Sequence, residues 1–490
     1  MRKRSPKRLV IVSNRLPISI EWDNGKPRAR HSSGGLVTAL GPIMRQRGGL
    51  WIGWPGSVDK VDLGRLIPAS EKPNYGLRPV WLTSDERDKF YLGFSNEVIW
   101  PLFHALQTVC NFDPEFWTMY RRVNRKYAQV AKRHAGKDDY IWVHDYHLIL
   151  VAQELRRTGV TGPIGFFLHI PFPAPDIFVK MPWRREILEA LLEYDILGFQ
   201  TVQHRRNFIQ CLRNVIGDVG LEGKGHVLRL KVAGRRISVG YFPISIDYDQ
   251  FASEAGAEAV SEMARNVRQQ LPDRQLVLGI DRLDYTKGIP YKLDAFRNAL
   301  LRYPELRERI SLVQVLVPSR ADIAPYHDLK IEIDRLVGAI NGEFTKSGWI
   351  PIHYIFRHLD RVELLALYRA AGIALVTPLE DGMNLVAKEY CVSSVEEDSV
   401  LILSEFAGAA VQLQRHALIV NPYDRDGVAD AIHRAYHMPQ EERRQRMHRL
   451  RRSIQDQNIY EWVDDFLLAG AASAPRLPAT SKPVRKAARR

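Results

Sequence analysis

Short, unbroken apolar runs alternate along this chain with stretches whose apolar positions recur at helical spacing. The runs are LVIVS (9–13), YIWVHD (140–145), IGFFLH (164–169), ILGFQ (196–200), LVLGI (276–280), LVQVLV (312–317) and IALVTP (373–378). Continuous Val/Ile/Leu runs separated by amphipathic helices indicate parallel sheets buried on both faces. Between the runs, YKLDAFRNALLRYP sets Leu293, Phe296 and Leu300 on one helical face and stops at Pro304. WRREILEALLEYD does the same with Ile187, Leu188, Leu191 and Leu192. The alternation predicts an α/β, doubly wound architecture.

At 490 residues the chain is longer than one hydrophobic core usually fills, so two such domains are expected. A boundary is predicted near Ile244–Glu254 (ISIDYDQFASE), after the strand SVGYFPI, which gives domains of residues 1–244 and 245–455. Past Gly470 the composition turns to Ala, Pro, Ser and basic residues, and 471–490 is expected to be a disordered basic tail. No internal repeat is present.

The formal net charge of +14 raises the question of nucleic acid or a membrane. Five cations fall in the first eight residues (Arg2, Lys3, Arg4, Lys7, Arg8) and five in the last nine (Lys482, Arg485, Lys486, Arg489, Arg490). The body is only mildly basic, and no zinc-finger, RRM or basic-zipper pattern accompanies these ends, so they read as solvated tails. Cys110, Cys211 and Cys391 are odd in number and far apart, which argues against a disulfide framework or a Cys-based metal site and points to a reducing compartment. The N-terminal apolar run is too short for a signal h-region and no long apolar segment follows, so a cytoplasmic protein without membrane or nucleic-acid partner is expected.

In open α/β sheets ligands bind at the carboxyl ends of strands, and the residues there carry the candidate chemistry. LVLGI is followed by DRLDYTKGIP, in which Arg282 and Lys287 bracket an acid and a tyrosine before a helix. The Lys-Gly order does not fit a P-loop. Two cations beside a helix N-terminus can still grip a diphosphate, the side chains outweighing the helix: roughly 1.5–3 kcal/mol per charge-assisted hydrogen bond against about 0.3–1 kcal/mol. The bland alternative is a surface loop with Arg282 paired to Asp284. TPLEDGMNLVAKEY places Asp381 and Gly382 at a strand-to-helix turn, with Leu385 and Glu389 on one helical face. Asp381 suits sugar hydroxyls, although an acid at a helix start is more often a cap. Gly34-Gly35 opens the amphipathic LVTALGPIM and offers amides to a phosphate. Arg15 and Arg320 follow strands, one in each half, and Tyr91 and Trp100 could wall a sugar or simply be core. His169 lies in no HExxH or His-Cys cluster, so no metal site is expected there.

Taken in order, SNRLP, GLWIGWPG, IWVHDYHL, GFFLHIPFP, DRLDYTKGIP, VPSRAD, INGEF, TPLEDGMNLVAKEY and ILSEFAGAA closely resemble the trehalose-6-phosphate synthases over about residues 8–465. That resemblance implies a GT-B fold: two Rossmann-like doubly wound domains facing a cleft, with a C-terminal helix, about 456–470, returning to the first domain. It implies retaining glucosyl transfer from a nucleotide sugar, usually UDP-glucose, to glucose 6-phosphate, forming α,α-trehalose 6-phosphate. The nucleotide sugar is a substrate, and no cofactor or metal is implied. Carried over by motif, Arg282 and Lys287 would hold the donor diphosphate. Glu389 would bind the ribose, and Gly34, Gly35, Leu359, Leu385, Val386, Ala387 and Lys388 would complete the donor site. Asp381 and His169 would bind glucose hydroxyls, Asp145 would orient the acceptor, and Arg15, Tyr91, Trp100 and Arg320 would grip the acceptor sugar phosphate. A separate phosphatase would act downstream, since no second half with a phosphatase aspartate pair is present, and a homo-oligomer is expected.

Two positions depart from the family. Glu380 stands where Arg is common, and Ala105 follows Phe103-His104 where an aromatic residue is frequent. The rival readings are a sister glycosyltransferase using another phosphorylated acceptor, such as glycerol 3-phosphate, and a non-catalytic regulatory relative. Retention of Arg15, Tyr91, Trp100 and Arg320 argues against the first. Retention of Arg282, Lys287, Asp381 and Glu389 argues against the second.

Overall fold

All seven apolar runs become strands, each ending within two residues of the run that predicts it. The computed structural model describes residues 8–31, 34–67, 73–232, 234–271, 273–319 and 324–473. The expected tail lies mostly outside them, as does Arg320.

In chain order the first lobe holds β1 (Leu9–Arg15), β2 (Ile18–Asp23), β3 (Lys26–His31), β4 (Leu50–Trp54), β5 (Gly76–Pro79), β6 (Tyr140–His144), β7 (Ile164–Phe167), β8 (Ile196–Phe199), β9 (Gly220–Glu222), β10 (Val227–Val232) and β11 (Arg235–Tyr241). Nine of these form one sheet in the order β5-β4-β1-β6-β7-β8-β11-β10-β9. It is parallel from β5 to β11, and the β11-β10-β9 edge is antiparallel. β2 and β3 form a separate hairpin across Asn24-Gly25, both with φ above zero, as a tight two-residue turn requires.

The second lobe holds β12 (Gln275–Arg282), β13 (Ile310–Val317), β14 (Ile352–Phe356), β15 (Ile373–Val376), β16 (Val400–Ser404) and β17 (Leu418–Val420). Its sheet is wholly parallel, in the order β14-β13-β12-β15-β16-β17. Val10, Ile11, Val12, Val277, Val315 and Ile402 are fully buried, as expected where helices cover both faces. Both sheets turn at a switch point beside their first strand, β1 or β12, and that is where an open α/β sheet binds ligands.

The chain passes from one sheet to the other through Ile244–Asp247 and the helix Tyr248–Gly256. It returns in the helix Ile459–Ser473, whose Trp462 and Phe466 stack on Trp142 of β6 with ring centroids 5.1 and 4.5 Å away. Trp462 Nε1 donates to the Phe242 carbonyl at 3.0 Å. The C-terminal helix therefore packs into the core of the first lobe. The three cysteines are free. Among the described residues no helix is long and apolar enough to cross a membrane.

Candidate active site

On the second lobe, β12 ends at Arg282 and runs into a single 3-10 turn, Tyr285–Lys287, capped by Asp284. Asp284 is fully buried and accepts the Thr286 amide at 3.0 Å and its hydroxyl at 2.9 Å. Its other oxygen lies 3.8 Å from the Arg282 guanidinium, so the pairing weighed as a bland alternative exists, but loosely. Nearly half of the Arg282 side chain remains exposed. Gly288 then takes φ 62°, turning the chain into the helix Ile289–Arg302. Lys287 Nζ reaches Asp381 Oδ2 at 2.5 Å, both side chains mostly buried. Asp381 also accepts from Asn384 Nδ2 at 3.2 Å. Burial alone would raise the Asp381 pKa; the Lys287 ammonium outweighs it and keeps the carboxylate below its ordinary value.

The loop carrying Asp381 is pinned from both sides. Leu379 donates to the Thr286 carbonyl (2.8 Å), Gly408 to that of Asp381 (3.0 Å) and Ala409 to that of Met383 (2.7 Å). Asn384, at φ 73°, caps the helix Leu385–Ser393 by accepting the Ala387 amide at 3.1 Å. That leaves the Leu385 and Val386 amides, which have no intrahelical acceptor, at an anion-favouring helix start. The start of the helix Gly35–Arg47 faces it from the first lobe: a Cβ on Gly35 would stand 3.4 Å from Leu385 Cδ1. Glu389 accepts from the Tyr368 hydroxyl at 2.9 Å; burial raises its pKa against the opposing pull of Tyr368 and Arg361. Leu359, Leu385 and Val386 are each half-buried against the same apolar cluster. The Lys388 side chain is fully buried and turns away from the cleft, donating to the Ile244 carbonyl at 2.8 Å, and burial lowers its pKa to about 7.

On the first lobe, Arg15 ends β1 with its guanidinium 4.1 Å from the Trp54 ring centroid and 5.3 Å from that of Tyr91. Gly56 leaves the room this needs, since a Cβ there would meet Arg15 Nη1. Tyr91 belongs to a 13-residue π-helix, Arg87–Ile99, and Trp100 follows directly. Arg282 sits 5.6 Å from the Trp100 ring centroid, a cation–π contact that joins the two lobes. Asp145 holds φ 73° and ψ 166°, a region nearly closed to residues with a side chain, and its Oδ1 accepts the His169 amide at 3.2 Å. His104 is buried at the end of the turn begun by Trp100, its ring 4.3 Å from the indole, and burial lowers its pKa to about 4.

His169 has a defined tautomer. Burial lowers its pKa to about 3 and holds that of His144 well below the ordinary value, so both rings are neutral. His144 Nδ1 and His169 Nε2 lie 3.1 Å apart, so one of them donates. His144 Nε2 is buried without a partner. An orphaned buried donor is rarer than an orphaned lone pair, so Nε2 is the unprotonated nitrogen. The proton then sits on His144 Nδ1 and is donated to His169 Nε2, leaving His169 to present Nδ1–H as a donor.

The fold thus gathers Arg282, Lys287, Asp381, Leu385, Val386 and Glu389 on the second lobe and Gly34, Gly35, Arg15, Tyr91, Trp100, Asp145 and His169 on the first. The Lys388 side chain is not among them. Sequence reasoning did not single out Trp54, His104, Asn384 or Gly408, and it marks His144 only as a strand-end residue. Each acts on a predicted site residue rather than on the cleft itself, and sequence spacing carries no sign of that.

Binding groups divided between the facing strand ends of two doubly wound lobes make up the GT-B arrangement, and the chain is a glycosyltransferase of that class. It belongs to Glycosyltransferase family 20, which matches residues 7–469. It is 41% identical over 473 residues to the trehalose-6-phosphate synthase of Mycobacterium avium, covering 95% of this chain and 96% of that one. The UDP-forming alpha,alpha-trehalose-phosphate synthase A of Dictyostelium discoideum is 40% identical over 461 residues, covering 94% of this chain and 62% of the longer relative. Among solved structures, an alpha,alpha-trehalose-phosphate synthase from Burkholderia xenovorans in complex with glucose-6-phosphate superposes with a TM-score of 0.86 at 37% identity, covering 94% of this chain and 99% of that one. An E. coli structure bound with UDP-2-fluoro glucose gives 0.86 at 36% identity, covering 95% and 99%.

Proposed function

We propose that this chain transfers glucose from UDP-glucose, or another nucleotide-glucose, to glucose 6-phosphate with retention, forming α,α-trehalose 6-phosphate and UDP. The observation that carries the reading is Arg282 lying against Trp100 while Lys287 is held by Asp381, which sets the donor cations directly against the acceptor wall. Arg282 and Lys287 neutralise the diphosphate as the bond from the glucose anomeric carbon to the β-phosphate oxygen breaks. The new bond forms from the same face to the acceptor's anomeric oxygen, and the departing phosphate oxygen takes that hydroxyl's proton. A retaining glycosidase needs a carboxylate nucleophile; here Asp381 is committed to Lys287 and Asn384, so positioning and charge stabilisation supply the catalysis. Glu389 takes the ribose and the amides of Leu385, Val386 and Gly34-Gly35 the phosphates. Leu359 and the backbone of Ala387 and Lys388 line the same site. His169 and Asp381 hold glucose hydroxyls, while Asp145, Arg15, Tyr91, Trp100 and Arg320 serve the acceptor. The nucleotide sugar is consumed as a substrate, no resident cofactor is needed, and a separate phosphatase removes the product phosphate. The enzyme is cytoplasmic and homo-oligomeric.

The test is UDP release by the full chain across a panel of nucleotide sugars and phosphorylated acceptors. Turnover with glucose 6-phosphate is expected; turnover with glycerol 3-phosphate alone, or donor binding without transfer, would overturn the reading. Arg282→Ala and Lys287→Ala should each weaken donor use about ten- to hundred-fold, one charge-assisted contact apiece. Arg15→Ala should raise chiefly the acceptor KM. Parent-like donor affinity in the first two would remove the diphosphate assignment.

A further inference from the structure

The far end of the helix Ile289–Arg302 meets a second cluster of ligating side chains, away from the cleft. Beyond that helix a 3-10 turn, Pro304–Leu306, presents Glu305 to the neighbouring helix Arg425–His437, which carries His433 and His437 one turn apart. His433 Nε2 lies 3.0 Å from Glu305 Oε1, and the two imidazoles meet edge to face at 4.5 Å. One ligand atom from each of the three residues falls within 4.8 Å of the other two, and among the described residues no other trio does so. The His433 ring is already fixed. Tyr303 stacks on it at 4.0 Å, and the Tyr303 hydroxyl donates to Asp430, which also pairs with Arg302.

A simple ion pair would need His433 alone. What it leaves unexplained is His437 converging on the same point. Histidines at i and i+4 on a helix are spaced to share one ion, and an added carboxylate makes a two-nitrogen, one-oxygen set. Such a set suits zinc and its transition-metal neighbours, whereas magnesium and calcium take oxygen ligands. Closing to a tetrahedral shell brings the ligand atoms to about 3.3 Å apart for bonds of about 2.0 Å. Glu305 and His437 are exposed and can rotate to make that adjustment.

We propose that Glu305, His433 and His437 bind one divalent transition-metal ion of the zinc type, water completing the shell, and that the ion clips the turn after the helix Ile289–Arg302 to the helix Arg425–His437. The first of these helices starts immediately after Lys287 and Gly288. The ion therefore anchors the distal end of the helix that follows the cation pair and takes no part in transfer.

The experiment titrates the chelator-stripped full chain with zinc chloride by calorimetry, with magnesium chloride as control, and follows Tm and the visible spectrum of a cobalt(II) titration. One equivalent of zinc, a raised Tm and an intense tetrahedral cobalt band are expected. All three should be lost in His433→Ala/His437→Ala and zinc binding weakened in Glu305→Gln, with UDP formation in metal-free buffer unchanged. No binding heat with an unmoved Tm would overturn the site. So would equal zinc binding by the double variant, which would place the ion on other groups.

Discussion

Glu380 is the residue at which this chain departs most visibly from its family, and the structure gives the departure a chemical meaning. Burial, and then the neighbouring Asp381 carboxylate, raise its pKa to about 7. Below that pH Glu380 is neutral; above it, a second negative charge stands beside Asp381, next to the proposed diphosphate site. Donor KM should therefore climb as pH rises through about 7 in the parent and stay flat in Glu380→Gln, which initial rates between about pH 6 and 9 would read. The same shift weakens the fold. The native state keeps a proton that the unfolded state has lost, so stability declines from the ordinary glutamate range up to about 7, and Glu380→Gln removes the decline. Parallel KM curves for the two proteins would refute the assignment. His144 offers the complementary case of a neutral group acting through its neighbour. Asparagine can put an amide donor where His144 Nδ1 stands and phenylalanine cannot. His144→Phe should lose about ten-fold in kcat/KM, one hydrogen bond's worth, and His144→Asn should recover most of it. Nitrogen-15 spectra should place the His169 proton on Nδ1 in the parent. A proton on Nε2 would end the tautomer argument.

The π-helix Arg87–Ile99 is the element that sets Tyr91 and Trp100, the proposed acceptor wall. Tyr91 and Trp100 are nine positions apart, which at 3.6 residues per turn puts them on opposite faces. The wider i→i+5 wind, with about 4.4 residues per turn, brings them to the same face. Tyr91 accordingly stacks on His147 and Trp100 packs on Tyr146, adjacent residues of one turn. Asn96 fastens the wind, donating to the Tyr91 carbonyl at 2.6 Å and accepting the Tyr146 hydroxyl at 3.0 Å. Asn96→Ala should cost about 1–3 kcal/mol of stability and raise the acceptor KM while sparing donor affinity; unchanged denaturant midpoint and KM would show that the clasp is idle. This element also marks the limit of what the sequence displays. The strands were legible because both their faces are buried, and the cations because they follow strand ends. A reading at helical or strand period cannot see a π wind, so the residues alone leave Tyr91 and Trp100 as sugar wall or core, and their acceptor role comes only from the family resemblance. Other contacts were hidden by distance along the chain: Lys287 and Asp381 are 94 positions apart. The β2-β3 hairpin was overlooked although Asn24-Gly25 announced it. β4, β5, β9, β10, β14, β16 and β17 were not among the predicted runs either.

The two lobes are fastened at one end and touch at the other. At the fastened end, the connection Ile244–Asp247 receives Lys388 on Ile244, the Ile459 amide on Ile246 and the Tyr460 hydroxyl on Asp247. At the touching end, Gly382 lies so close to the first lobe that a Cβ there would fall 2.2 Å from the His169 carbonyl oxygen and 3.0 Å from Ile170 Cα. Both neighbours are backbone and cannot swing aside. The loop cannot retreat either, because a Cβ on Gly408 behind it would already stand 2.0 Å from the Gly382 carbonyl oxygen. A methyl group in Gly382→Ala must therefore be accommodated by opening the cleft. The proposed donor phosphate contacts, Arg282, Lys287 and the helix start at Leu385, all belong to the second lobe and travel together, so donor affinity should change little. The distance between the donor sugar and an acceptor held on the first lobe should grow, and a misplacement of about 1 Å can cost about a hundred-fold in rate. The expected result is a kcat about a hundred-fold lower at nearly parental donor Kd and Tm. A parental kcat would mean that the two backbones do not meet during turnover; a collapsed Tm would mean that Gly382 serves the fold rather than the approach of the two lobes.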